Sequence, residues 1–242
     1  KRQPLNEFIF LLKHLVNYDA HAELPGYEEV GMEMVEAILP EAAKFFENII
    51  APTNLETDQQ GTRLNDGEVE IAPVIKGLGA QMSQAGWTGL GGSKDYDGSG
   101  FPGVVDLAVQ EMLQSANMSL SLLPLLTKGV IHALSLYGTD LQKQLFLTHL
   151  TNGSWSGTMN LTEPQAGSDL STIKCKAVPN DDHYLLTGQK IYITWGEHDQ
   201  TENIIHLVLA RLPDAPEGTQ GISMFLVPKY LVNPDGSLGR RN

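Results

Sequence analysis

The sequence predicts an α+β multidomain protein. An all-α N-terminal helical domain (residues 1–152) is followed by a small antiparallel β-barrel or sandwich domain (residues 153–242). Three observations carry this. Apolar residues recur at helical spacing as far as about Asn152 and then alternate or cluster in short β-type runs. The charge balance shifts at the same place: 9 basic and 19 acidic residues precede Gly153, a balance of −10, and 7 basic and 10 acidic follow, a balance of −3. Beyond Gly153, short runs are separated by turn signals at Asn180-Asp181-Asp182, Gly188 and Asp214–Gly221.

The helices follow in order. Leu5–Val16 places Phe8, Leu11, Leu12 and Leu15 on one face. Glu28–Ile50 is a second helix, kinked or split at Pro40. Val69–Ala85 is a third, with Ile71, Val74, Ile75, Leu78 and Met82 as its stripe. A glycine-rich loop, Gly86–Gly103, precedes Val104–Ser115 and Leu122–Leu136, the strongly apolar core pair. Asp140–Leu150 closes the set, with Thr139 as N-cap and Gly153 past its end. Strands are expected at Ser156–Thr162, Thr172–Pro179, Tyr184–Leu186, Lys190–Thr194, Ile204–Leu212 and Ile222–Pro228. The polar, turn-rich tail Pro234–Asn242, which follows an apolar strand, leads us to expect that the natural protein continues.

Composition excludes several functions. The 242 residues carry a net charge of −13, so no basic footprint exists for nucleic acid or for an anionic membrane surface. The apolar run Leu120–Leu136 is interrupted by Pro124, Lys128 and His132, so no membrane span is expected. One cysteine, Cys175, rules out an internal disulfide framework and a Cys-rich zinc site. The seven histidines show no HxH or HxxxH spacing, so no metal site is expected; His132, in an apolar helix, reads as a core or interface residue. The start Lys1-Arg2, followed by Pro4, Asn6 and Glu7, lacks the clean apolar core of a signal peptide, and a cytoplasmic location is expected.

Two segments stand out chemically. In Met159-Asn160-Leu161-Thr162-Glu163-Pro164-Gln165-Ala166-Gly167-Ser168-Asp169 a strand ends at a threonine and the chain turns sharply. The small side chains of Ala166, Gly167 and Ser168 let backbone N–H groups approach an anion, with Thr162 and Ser168 hydroxyls as further donors. An ordinary strand-end turn reads the same way. In Gly188–Gly196, alternation puts Tyr192 and Thr194 on one face, an aromatic and a hydroxyl beside each other. Good strand formers on a half-buried face would do the same. Other patterns carry less. The loop Gly86–Lys94 lacks Walker spacing and follows no strand. Gly153-Ser154-Trp155-Ser156-Gly157 fits G-x-S-x-G, but a strand rather than a helix follows Ser156. Lys174 and Lys176 flank Cys175 and could lower its pKa, although a lone strand cysteine is usually inert.

Together, Leu161-Thr162-Glu163-Pro164-x-Ala166-Gly167-Ser168-Asp169 and Gly188-x-Lys190-x-Tyr192-Ile193-Thr194 resemble the acyl-CoA dehydrogenase family over roughly Glu28–Pro228. Gln165 departs where glycine is common, and Tyr192 stands where tryptophan is usual. The leading helix looks like an extension of larger bacterial members. The resemblance implies FAD and α,β-dehydrogenation of an acyl-CoA to the 2,3-enoyl-CoA. It implies that Thr162 bonds the flavin pyrimidine edge, with Met159 and Leu161 in contact along the same strand. Gly167 and Ser168 would meet the pyrophosphate, Ser168 would also touch the acyl-CoA, Thr194 would sit near flavin N5, and Tyr192 would pack beside the ring. Helical residues around Met118–Leu126 would line the acyl pocket. The family's base is a carboxylate of a C-terminal helical domain absent from this sequence, so no catalytic residue is expected in this segment. These 242 residues are expected to be inactive alone and to hold FAD weakly. An electron-transfer flavoprotein is the expected acceptor, and a homodimer or homotetramer the expected assembly. An acyl-CoA oxidase and a non-catalytic flavin-binding relative are the alternatives.

Overall fold

The computed structural model describes residues 2–242. Helices fill the first part: α1 (Leu5–Phe10), α2 (Tyr18–Ala22), α3 (Met32–Phe45), α4 (Asn54–Gln60), α5 (Leu78–Gln84), α6 (Gly103–Ala116), α7 (Met118–Tyr137) and α8 (Asp140–Asn152). The expected first helix is α1 followed by one π-type turn, Leu11–Leu15. Pro40 lies inside α3, and a second π-type turn, Phe46–Ile50, extends that helix. The expected helix Val69–Ala85 is largely something else. A small hairpin, β1 (Arg63–Asn65) with β2 (Glu68–Glu70), takes its start, and Pro73 opens a short 3₁₀ turn before α5. Pro73 lacks an N–H, and Gly77 takes a left-handed backbone, so the α-helix is confined to the seven residues Leu78–Gln84.

α8 is capped as its sequence requires. Thr139 accepts from the Gln142 N–H at 3.3 Å, the Gln142 side chain accepts from the Thr139 N–H at 2.9 Å, and Gly153 exits left-handed. Trp87 is buried in the helical core against Phe45 and Phe46. α7, at 20 residues, is long and apolar enough to cross a membrane. Here it is a core helix: Leu120 and Val130 are buried, and Lys128 pairs with Asp106 of α6 at 2.6 Å. His132 lies on its exposed side, so it is not a core residue of this chain.

The second part is a mixed sheet, not a closed antiparallel barrel or sandwich. Its strands are β3 (Trp155–Asn160), β4 (Lys176–Asn180), β5 (His183–Thr187), β6 (Asn203–Arg211) and β7 (Ile222–Pro228). The order is β3-β6-β4-β5, with β7 also on β6. β3 runs parallel to β6 from Trp155↔Asn203 to Asn160↔Val208, and β4 joins β6 in parallel at Lys176↔Arg211. Only β4–β5 and β6–β7 are antiparallel within this sheet. Connection length permits this: β4 and β5 are joined by a tight turn, which only antiparallel neighbours allow, whereas the long connection from β3 to β6 supplies the crossover that parallel pairing requires. β8 (Tyr230–Val232) and β9 (Leu238–Arg241) form a separate hairpin.

One sheet face packs on the helices. Trp155, Ile205 and Leu207 share a buried cluster with Val130, Leu134 and Leu147. Gln200 fastens a second seam, donating to the Ile75 carbonyl at 2.6 Å from a buried position.

Candidate functional site

The expected strand Lys190–Thr194 does not form. Tyr192 (φ 57°) and Trp195 (φ 54°) take left-handed backbone, which breaks a ladder. The alternation in exposure nonetheless survives: Ile191, Ile193 and Trp195 are half-buried, and Tyr192 and Thr194 are exposed, Tyr192 by 90%. The segment is held from other directions. Trp195 Nε1 donates to the Ser119 carbonyl at the start of α7 (2.9 Å), and the Ile191 N–H donates to the Thr162 carbonyl (3.0 Å). Gly188 passes so close to Cys175 that a Cβ would lie 2.8 Å from its Cα. The two motifs are thus brought side by side.

The first motif turns tightly. Glu163 and Ala166 exchange both backbone hydrogen bonds at 3.0 Å around Pro164-Gln165. That spends the amides of Glu163 and Ala166. The amides of Gly167 and Ser168, both exposed, have no acceptor among the described residues, and a Cβ on Gly167 would meet open space. The hydroxyls of Thr162, Ser168 and Thr194 also have no hydrogen-bond partner among the described residues, so the donor set suits a phosphate-bearing, heteroaromatic ligand.

Beneath the turn lies a charge pair that sequence reading passed over. The Glu163 carboxylate is 3% exposed, and the Lys190 side chain 9%. Lys190 Nζ donates to Glu163 Oε1 at 2.9 Å and to the Leu161 carbonyl at 3.0 Å. Glu163 also accepts from the Lys174 N–H (2.7 Å), the Cys175 N–H (3.0 Å) and Gln165 Nε2 (2.7 Å). Burial alone would raise its pKa; the Lys174 amide, the Lys190 ammonium and the remaining donors reverse this and hold it at about 2. The signal in the sequence was one opposite charge in each motif, Glu163 and Lys190. Burial pushes the Cys175 thiol up, and its flanking lysines are exposed, so it is an inert core cysteine.

A crevice of about 790 Å³ opens between helices and sheet. Thr194, Lys190, Asn160 and His206 line its sheet side, and Ser119 and Leu122 of α7 its helical side. Of the residues predicted to hold the cofactor, Thr194 alone is among those that line it; Ser119 and Leu122 belong to the Met118–Leu126 stretch expected to line the acyl pocket. Met159, Leu161 and Thr162 are half-buried next to it in sequence, and Gly167, Ser168 and Tyr192 lie on the outer surface. Two histidines flank this region, both held near pKa 4, chiefly by burial and also by Lys229. Thr158 Oγ1 donates to Asn160 Oδ1 (2.6 Å), so His206 Nδ1 (2.6 Å) is its donor. His198 Nδ1 accepts from the Gln200 N–H (3.1 Å), so its Nε2 carries the proton and donates to Ser156 Oγ (3.1 Å). A histidine in that tautomer cannot deprotonate Ser156, and Ser156 is buried, which disposes of a serine nucleophile.

Two family profiles match the chain: the N-terminal domain of acyl-CoA dehydrogenase at residues 32–154 and its middle domain at residues 158–240. The chain is 46% identical to 3-methylmercaptopropionyl-CoA dehydrogenase of Ruegeria pomeroyi over 99% of its length and 41% of that protein. It is 33% identical to a butyryl-CoA dehydrogenase of Syntrophomonas wolfei over 98% of its length and 40% of that protein. The solved butyryl-CoA dehydrogenase of Megasphaera elsdenii superposes with a TM-score of 0.64 at 29% identity, covering 80% of this chain and 48% of the other. The chain therefore spans about two fifths of the length of the curated relatives it matches. On the strength of both profiles and of the shared fold, the chain belongs to the acyl-CoA dehydrogenase family.

Proposed function

We propose that this chain supplies the helical (1–152) and middle (153–242) domains of an FAD-dependent dehydrogenase that converts an acyl-CoA thioester to its 2,3-enoyl-CoA. The observation that carries the reading is the joining of the two motifs. The Ile191–Thr162 bond and the Lys190 clamp set them together, with unspent donors on the outer turn and Thr194 at the crevice. The FAD, when bound, takes up the two electrons that leave the acyl chain. Thr162 and Thr194 offer hydroxyl donors to its ring, beside Met159 and Leu161. The Gly167 and Ser168 amides would offer donors to its pyrophosphate, and Ser168 Oγ would also touch the CoA portion of the thioester. Tyr192, nearly fully exposed, has its ring face free for packing. The S. wolfei and R. pomeroyi relatives, named for acyl-CoA dehydrogenation, support the substrate class.

The general base is proposed to come from outside these residues. Among the described residues, the carboxylates lining the crevice are Asp58 and Glu197. Asp58 is exposed, and Glu197 is paired with Lys229 and Arg241. Neither is a free carboxylate in a dry pocket, which is what α-proton removal requires. These 242 residues alone are therefore proposed to turn over no acyl-CoA. Electron-transfer flavoprotein as acceptor, a homo-oligomer and a cytoplasmic location remain part of the same proposal.

The test is direct. The whole protein should purify with a flavin absorbance band and reduce a dye acceptor with at least one member of an acyl-CoA panel. Absence of the band, or a flavin that no acyl-CoA reduces, overturns the reading. Rapid reoxidation of the reduced protein by air would assign it to the oxidases instead.

A further inference from the structure

The buried ion pair beneath the site has no role in binding or chemistry assigned to it so far. Three chain segments converge on it: Leu161–Glu163, Lys174–Cys175 and Lys190–Ile191. Each contributes a backbone group. The Leu161 carbonyl accepts from Lys190 Nζ, the Lys174 and Cys175 amides donate to Glu163, and the Ile191 amide donates to the Thr162 carbonyl at 3.0 Å. With Gln165 and Lys190 also donating, the carboxylate fills its acceptor capacity. Burying two charges is costly. Apolar side chains of the same volume could fill that space, but they could not fix three backbones at once.

The pair borders the site at two points. Glu163 follows Thr162 directly, so the carboxylate anchors the residue that presents the first hydroxyl. Lys190 lies four residues before Thr194, lines the same crevice, and heads the irregular segment that, among the described residues, is tied by backbone to the first motif through the Ile191–Thr162 bond. Because that segment is not a strand, no ladder fixes its register. The pair supplies what a ladder would otherwise supply.

We propose that Glu163 and Lys190 are positioning residues of this site, setting the placement of the Thr162 and Thr194 hydroxyls relative to one another and to the flavin ring. This rests on the flavin reading above. Neither side chain touches the flavin; they act through Thr162, Leu161 and the segment leading to Thr194.

The test uses the holoprotein and three readouts: FAD affinity by titration of the apoprotein, the absorbance spectrum of the bound flavin, and Tm. Lys190→Met and Glu163→Gln should weaken FAD by about tenfold, as loss of an outer-shell partner does, and should shift the flavin band. Lys190→Arg should restore part of both effects. The double variant E163Q/K190M removes both charges together and keeps the test readable should K190M alone not fold. Variants with lowered Tm but wild-type FAD affinity and flavin spectrum would make the pair purely structural and overturn the inference. A wild-type protein that holds no flavin would instead overturn the proposed function, and this inference with it.

Discussion

Gly157 of β3 and Val130 of α7 are packed so closely that a Cβ on the glycine would stand 2.5 Å from Val130 Cγ2. The Gly157 N–H also donates to Thr127 Oγ1 of the same helix at 3.0 Å. This is the seam between helices and sheet, and it sets where the site's strand begins. Gly157→Ala should cost about 1–3 kcal/mol through overpacking. Val130→Ala in the same chain should return part of that loss. Urea denaturation of the two single variants and the double variant measures both, and strictly additive losses would refute the contact.

Gly167 presents the opposite case. Nothing lies within 4 Å of a Cβ placed there, and its backbone is not left-handed. Gly167→Val should therefore leave Tm within about a degree or two of wild type, as surface changes away from special features usually do. It should nevertheless weaken FAD, because the added side chain stands where the pyrophosphate would approach. Unchanged FAD content in this variant would remove Gly167 from the cofactor site.

Glu163 predicts acid sensitivity at low pH. Its carboxyl titrates near 4.5 when unperturbed and near 2 in the fold, where the effect of burial is outweighed by its four donors, Lys174, Lys190, Gln165 and Cys175. A depressed carboxylate contributes stability above its unfolded pKa and loses it as pH falls through the folded value. About 3 kcal/mol should be lost between pH 4.5 and 2. Glu163→Gln should be less stable at pH 7 and should show a flatter stability profile across that window.

His198 and His206 act at milder pH. Both are neutral in the fold, with pKa lowered from 6.5 to about 4, chiefly by burial. The unfolded chain binds protons that the folded chain refuses, so stability falls as pH drops below 6.5 and continues to fall until about 4. Each histidine should account for about 3 kcal/mol across that range. His198→Gln and His206→Gln should each reduce the pH slope of the unfolding free energy between pH 6.5 and 4. A slope unchanged in both would show that neither residue titrates as its burial requires.

Local signals determined much of this protein from sequence alone. The capped helix α8, the core pair α6 and α7, and the strands β6 and β7 were legible because capping chemistry and apolar period act over a few residues. The two motifs were legible as segments for the same reason. Tertiary structure decided everything that depends on distant pairing. It laid β3 and β4 parallel to β6 and left the sheet open. It replaced the strand at Lys190–Thr194 with an irregular segment bent by left-handed Tyr192 and Trp195. It also sank Glu163 and Lys190, 27 positions apart, into one buried pair. A period reports which face of a segment is apolar. It carries no information on which remote backbone will meet that face, and that meeting decides both the sheet's direction and where a charge can be buried.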